Sequence, residues 1–114
     1  MLFQLRFTSI FLLICVHFSA QTSQDTINQT VNGKRHGYWI INGDMIKNKE
    51  YVPVAKVEEG IFNYGRREGV WKKYYPSGKI KSKIKYIKGS PKGNFITYYE
   101  NGQIEEKGSW SAKV

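Results

Sequence analysis

The sequence predicts an all-β fold, an open single-layer antiparallel meander of stacked β-hairpins. Three observations predict it. Residues 59–110 are one pattern written twice at a spacing of 24: Gly65 falls on Gly89, Gly69 on Gly93, Trp71 on Phe95, Tyr74 on Tyr98, Tyr75 on Tyr99, Gly78 on Gly102 and Ile80 on Ile104. A fixed period with matched glycines and aromatics is the mark of a repeat architecture. Ile80, Ser82, Ile84 and Tyr86 alternate with Lys79, Lys81, Lys83 and Lys85, the period-two signature of a strand with one apolar and one charged face. The chain is also rich in tyrosine (8), glycine (11) and lysine within only 114 residues, which favours short strands and tight turns over a deep core. A chain this short buries little surface, so stacking of like units must supply most of its stability.

Residues 1–20 have the form of a secretory signal peptide. Arg6 provides the positive charge, residues 7–16 are an apolar run, and Ser19-Ala20 is a small-residue exit before polar Gln21. The run is shorter than the roughly 20 residues that span a bilayer. Ile14 precedes Cys15, where a lipoprotein would carry a small residue. Cys15 is the single cysteine, so residues 21–114 contain neither disulfide nor thiolate. Their one histidine, His36, reads as a solvated turn residue, which removes histidine clusters and most zinc sites; no metal or other cofactor is expected. Residues 21–31 are polar and aperiodic and read as a flexible leader.

Residues 32–114 read as the repeat domain, with units at about 32–58, 59–82 and 83–106 and a partial unit at 107–114. Gly33 and Gly37 have the five-residue frame of Gly65/Gly69 and Gly89/Gly93, yet Gly37 to Gly69 is 32 residues rather than 24. The extra eight fall within residues 42–57, where Tyr51-Val52-Pro53-Val54 reads as an edge strand. In the regular units, Ser77-Gly78 and Asn101-Gly102 read as two-residue hairpin loops. That register sets Tyr75 opposite Ile80, Lys73 opposite Ser82 and Trp71 opposite Ile84, then Tyr99 opposite Ile104, Thr97 opposite Glu106 and Phe95 opposite Gly108. Each Gly-x-x-x-Gly reverses the chain between hairpins, since glycine takes φ > 0 without steric cost. Residues 111–114 cap the last strand.

These pieces, above all Gly69-Val70-Trp71-Lys72-Lys73-Tyr74-Tyr75-Pro76-Ser77-Gly78 and Gly93-Asn94-Phe95-Ile96-Thr97-Tyr98-Tyr99-Glu100-Asn101-Gly102, resemble the MORN-repeat variant, a family often grouped with the YwqK-type antitoxin annotation in bacteria. The resemblance covers about residues 32–110. It implies elongated open sheets that serve as interaction scaffolds, with lipid contact in some relatives and no catalytic residues. The antitoxin grouping implies a toxin partner.

The residues themselves give catalysis little support. Glu58-Glu59 and Glu105-Glu106 are adjacent in sequence, but strand neighbours point to opposite faces. No nucleophile–base pair forms around a lone histidine. Lys79, Lys81, Lys83 and Lys85, with Lys72 on the neighbouring strand, would form a basic stripe able to meet anionic lipid or another polyanion. The second unit has Gln103, Glu105 and Lys107 in place of Lys79, Lys81 and Lys83, so the stripe does not propagate. Trp39, Trp71, Tyr75, Phe95, Tyr99 and Trp110 recur at the repeat period and read as a structural ladder. The reading is a non-enzymatic, exported repeat scaffold, periplasmic, envelope-associated or secreted, with a protein partner or envelope surface as its target. The alternatives are a module for anionic lipid or another polyanion and an antitoxin-like partner of a toxin. Export argues against nucleic acid.

Overall fold

The computed structural model of the chain describes residues 26–110. Residues 1–25 and 111–114, and with them the signal peptide, most of the leader and the expected C-terminal cap, lie outside the described residues. Seven strands form one sheet in strict chain order: β1 (Gln29–Val31), β2 (Lys34–Asn42), β3 (Lys56–Asn63), β4 (Arg66–Tyr74), β5 (Ile80–Ile87), β6 (Ser90–Tyr98) and β7 (Ile104–Trp110). All sequential pairs are antiparallel. One helical turn, α1 (Gly43–Ile46), follows β2 and is capped by the Asn42 side chain, which accepts from the Met45 amide at 3.1 Å. The open meander predicted from the repeat is the fold.

The turns alternate between two chemistries. Asn32-Gly33, Tyr64-Gly65 and Lys88-Gly89 each place two successive residues at positive φ (52° and 78°, 46° and 89°, 50° and 87°). That is the two-residue turn whose twist matches the flanking strands. Only the first glycine of each Gly-x-x-x-Gly therefore reverses the chain. Gly37, Gly69 and Gly93 lie inside β2, β4 and β6, also at positive φ, and for Gly69 and Gly93 the ladder register shifts there. The other turns are not the two-residue loops expected. The Gly78 amide donates to the Tyr75 carbonyl at 2.8 Å and the Tyr75 amide to the Lys79 carbonyl at 2.8 Å; Gly102, Tyr99 and Gln103 repeat the arrangement. Pro76 presets the first central residue and Gly78 takes φ 97°, giving a three-residue loop with a glycine bulge. The bulge moves Tyr74, not Tyr75, opposite Ile80, and Tyr98, not Tyr99, opposite Ile104. The other four expected pairs form.

The leader ends earlier than expected. Gln29–Val31 is hydrogen-bonded to β2, because Asn32-Gly33 supplies the same turn as Tyr64-Gly65. Tyr51-Val52-Pro53-Val54 is no strand: Ala55 donates to the Val52 carbonyl at 3.0 Å in a turn with Pro53 at its second position. The eight extra residues form a loop whose neck has the bond of the regular turns. Gly43 donates to the Ala55 carbonyl at 3.0 Å, as Tyr75 does to Lys79. Gly43 thus holds the backbone place of Tyr75, while Tyr51 supplies the ring. A Cβ on Gly43 would lie 2.9 Å from the Tyr51 Cβ and 2.5 Å from the Val52 carbonyl oxygen. The Tyr51 hydroxyl donates to the Tyr74 carbonyl at 2.7 Å and the Tyr75 hydroxyl to the Tyr98 carbonyl at 2.6 Å, so each ring reaches over one strand to the next.

The core is one face of the sheet. The register sets Trp39 opposite Gly60, Trp71 opposite Ile84, and Phe95 opposite both Ile84 and Gly108. Along the row each large ring therefore faces a non-aromatic residue, glycine or Ile84. Trp71 is 1% exposed, and its indole lies over Gly60. Phe62 meets Trp39 and Trp71 edge-on at centroid distances of 6.1 and 4.8 Å, Tyr86 packs beside them, and Phe95 meets Trp110 at 4.4 Å. Arg35 covers Trp39 at 4.5 Å and Arg67 covers Trp71 at 4.4 Å, while Arg67 pairs with Glu58 at 2.6 Å. The indole nitrogens donate to the carbonyls of Gln29 (2.9 Å) and Ile61 (3.0 Å), so neither buried N–H is left without a partner.

Trp39, Trp71, Phe95 and Trp110 belong to the spine; Tyr75 lies beyond it as a strap, Tyr99 occupies the equivalent turn and is 51% exposed, and Phe62 and Tyr86 fill the intervening strands. Gly60→Ala tests the spine, because the new methyl would fall 2.5 Å from indole carbons of Trp71. The expected cost is about 1–3 kcal/mol, the range for overpacking a core, read as a lower thermal midpoint with altered tryptophan fluorescence.

Candidate interaction face

The face opposite the spine is built from the residues between those rows. One register row crosses the sheet as Ile40, Glu59, Lys72, Lys83, Ile96 and Lys107. Tyr38 lies opposite Ile61, and Val70 opposite Lys85. The face has an acidic, hydrogen-bonded end and a basic, apolar end.

Glu59 forms the first end. It is buried, yet its carboxylate accepts from the Tyr38 hydroxyl at 2.7 Å, from the Tyr74 hydroxyl, and from the Lys56 ammonium at 3.3 Å. Burial alone would raise its pKa; the two hydroxyls and the ammonium outweigh burial and hold the carboxyl below its ordinary value. Burial first, then the bond to and charge of Glu59, push the Tyr38 phenol up to about 12 and raise Tyr74 as well. The sequence reading missed this cluster. Its only signal is that Tyr38, Glu59 and Tyr74 share a face once the register is known.

The second end is a shallow groove of about 210 Å³ lined by Val70, Lys83, Lys85, Asn94, Phe95 and Ile96. Ile61 and Val70 are about half exposed beside it. Lys72 and Lys83 are a direct cross-strand pair, a like-charge juxtaposition that weakens pairing unless something neutralises it. The expected five-lysine stripe is not continuous. The register shift between Lys73 and Tyr74 leaves Lys81 as the extra residue, with its ammonium 5.5 Å over the Tyr75 ring, and Lys79 closes the turn against Tyr75. Lys72, Lys83 and Lys85 remain together.

His36 is not a free turn residue. It lies in β2, and its Nδ1 accepts from the Tyr64 amide at 3.1 Å, while the Arg35 carbonyl accepts from Gly65 at 2.8 Å. Glu68 and Arg67 hold Lys88 and Gly89 in the same way, at 3.2 and 3.1 Å. These bonds latch the Tyr64-Gly65 and Lys88-Gly89 turns to the preceding unit. A larger cavity of about 470 Å³ lies in the inserted loop among Asp44, Lys47, Asn48, Lys49, Tyr51 and Pro53. Among the described residues no three His, Cys, Asp or Glu side chains come together as a metal site would need, and no helix is long and apolar enough to cross a membrane.

Two stretches of the chain, residues 67–88 and 91–112, match the family model of the MORN repeat variant. They begin 24 residues apart, and each matched stretch takes in an even strand and the odd strand after it, β4 with β5 and β6 with β7. The two matches open at Arg67 and Pro91. MORN repeats are in general protein or lipid interaction modules. No curated protein and no solved structure matches the chain.

The Glu59 cluster sets a pH window. A carboxyl with a lowered folded pKa stabilises above its unfolded value near 4.5 and loses that contribution as pH falls through the folded value. A phenol with a raised folded pKa stabilises below 10 and loses that contribution as pH rises through about 12. Stability against denaturant should therefore fall on both sides of this window. Glu59→Gln should remove the acid limb, and Tyr38→Phe should shrink the alkaline one.

Proposed function

We propose that this chain is a non-catalytic, exported scaffold that docks a protein partner or an envelope surface through the sheet face opposite its aromatic spine. The observation that carries the reading is the unequal use of the two faces. Rings, tyrosine straps and stacked arginines fill the spine face. The other face leaves Tyr38, Ile61 and Val70 exposed over a single layer, next to Lys72, Lys83 and Lys85. Apolar side chains grouped and rimmed by charge are the surface pattern of a docking site. The non-catalytic part is supported by the carboxylates: Glu58 is engaged by Arg67 and Glu59 by Tyr38, Tyr74 and Lys56, on opposite faces. Export rests on the signal-peptide pattern of residues 1–20.

The Lys72–Lys83 cross-strand pair, with Lys85 beside it, favours a second reading, in which the same face meets anionic lipid. The antitoxin grouping makes a toxin one specific protein partner to seek. Two experiments separate these readings. In pull-downs from the native envelope, Val70→Glu should abolish capture of a protein partner, and unchanged capture would remove this face from the scaffold reading. In sedimentation with anionic vesicles at low and high salt, Lys72→Gln, Lys83→Gln and Lys85→Gln together should abolish salt-sensitive binding, while Lys79→Gln and Lys81→Gln should not. No binding by the unaltered chain eliminates the lipid reading. An intact Met1 in the purified protein, read by mass spectrometry, defeats export.

A further inference from the structure

The two turn latches are built from different acceptors. At the first, the Tyr64 amide donates to Nδ1 of His36 at 3.1 Å, and the Gly65 amide donates to the Arg35 carbonyl at 2.8 Å. At the second, the Lys88 amide donates to a carboxylate oxygen of Glu68 at 3.2 Å, and the Gly89 amide donates to the Arg67 carbonyl at 3.1 Å. The backbone half is the same in both. The side-chain half is an imidazole in one and a carboxylate in the other. In the third unit Lys92 holds the equivalent place, and an ammonium group has no lone pair to offer.

An imidazole nitrogen accepts only while it carries no proton; in the imidazolium both nitrogens are donors. A carboxyl group keeps an acceptor oxygen in either protonation state. His36 is flanked on β2 by Lys34 and Arg35, and β1 sets the uncharged Gln29 opposite it. The turn between β3 and β4 brings the Tyr64 ring to 4.1 Å, and Arg66 follows in register with Asn63. Among the described residues no carboxylate lies within ion-pair distance of the imidazole. A proton on Nδ1 would therefore meet the Tyr64 N–H, donor against donor, with no acid to compensate. The Arg35–Gly65 bond and the strand pairing do not use the Nδ1 lone pair, so the loss is confined to one amide.

We propose that His36 is an acid-operated latch. Its protonation frees the Tyr64-Gly65 turn from the β2 side chain, while the Glu68 latch on the next turn stays closed. Acidity thus loosens one unit boundary and leaves its neighbour unchanged. The Glu59 cluster is a separate device: its carboxylate is held by two hydroxyls and an ammonium group. The latch is independent of which partner the sheet takes.

Amide hydrogen exchange of the full chain, followed by NMR, tests this. Protection factors remove the pH dependence that any free amide shows. Imidazoles change charge between about pH 8 and about pH 5. Across that range Tyr64 protection should fall about fivefold, as expected for one net hydrogen bond, and Lys88 protection should hold. His36→Glu should keep Tyr64 protected at both ends of the range. Glu68→His should transfer the fall to Lys88. Unchanged Tyr64 protection, or an equal fall at Lys88 in the unaltered chain, would overturn the proposal. So would a fall at Tyr64 that persists in His36→Glu, or no response at Lys88 in Glu68→His.

Discussion

A large ring over a residue with no side chain is the contact on which the sheet depends. A single layer has no second sheet to cover its apolar face, so its rings must lie down across neighbouring strands. Trp71 can do so because Gly60 on the preceding strand presents bare backbone beneath the indole, and Phe95 because Gly108 on the following strand does the same. The rings then meet edge-on through Phe62, in the geometry that aromatic quadrupoles favour. Arginines complete the cover: their flat guanidinium groups shield rings that would otherwise face water, and they remain solvated at their rims.

The remaining repeat devices hold neighbouring units at the distance this row requires. Strap tyrosines fix one end of each hairpin to a backbone carbonyl, and the turn latches of Arg35 with His36 and Arg67 with Glu68 fix the other. Histidine and glutamate can exchange at the latch because it requires only an acceptor. That freedom explains why the repeats look dissimilar at positions where they do the same work.

Much of this architecture was legible in the sequence. Spacing alone indicates the strand order, the Trp71–Ile84 and Phe95–Gly108 pairings, and the location of the extra eight residues. Ser77-Gly78 and Asn101-Gly102 have the composition of a two-residue loop; the third residue is Pro76 in one repeat and Glu100 in the other, so the repeats share no common signal for it. Lys79 and Lys81 left the basic stripe for the same reason, since a bulge ends strict alternation without marking the sequence. Tyr51 was hidden by the insertion, although it stands 24 residues before Tyr75. The Glu59 cluster was illegible because its members come from three strands and become neighbours only through register.

The loop between Gly43 and Tyr51 shows which part of a repeat is obligatory. Gly43 closes the neck and vacates its side-chain space, Tyr51 returns to fill it, and the turn between them is held locally, the Asn48 carbonyl accepting from the Tyr51 amide at 3.2 Å. The chain can therefore carry a graft of foreign length there without disturbing the hairpins on either side. In evolutionary terms it is a port, the place where an otherwise monotonous ribbon can acquire an individual identity.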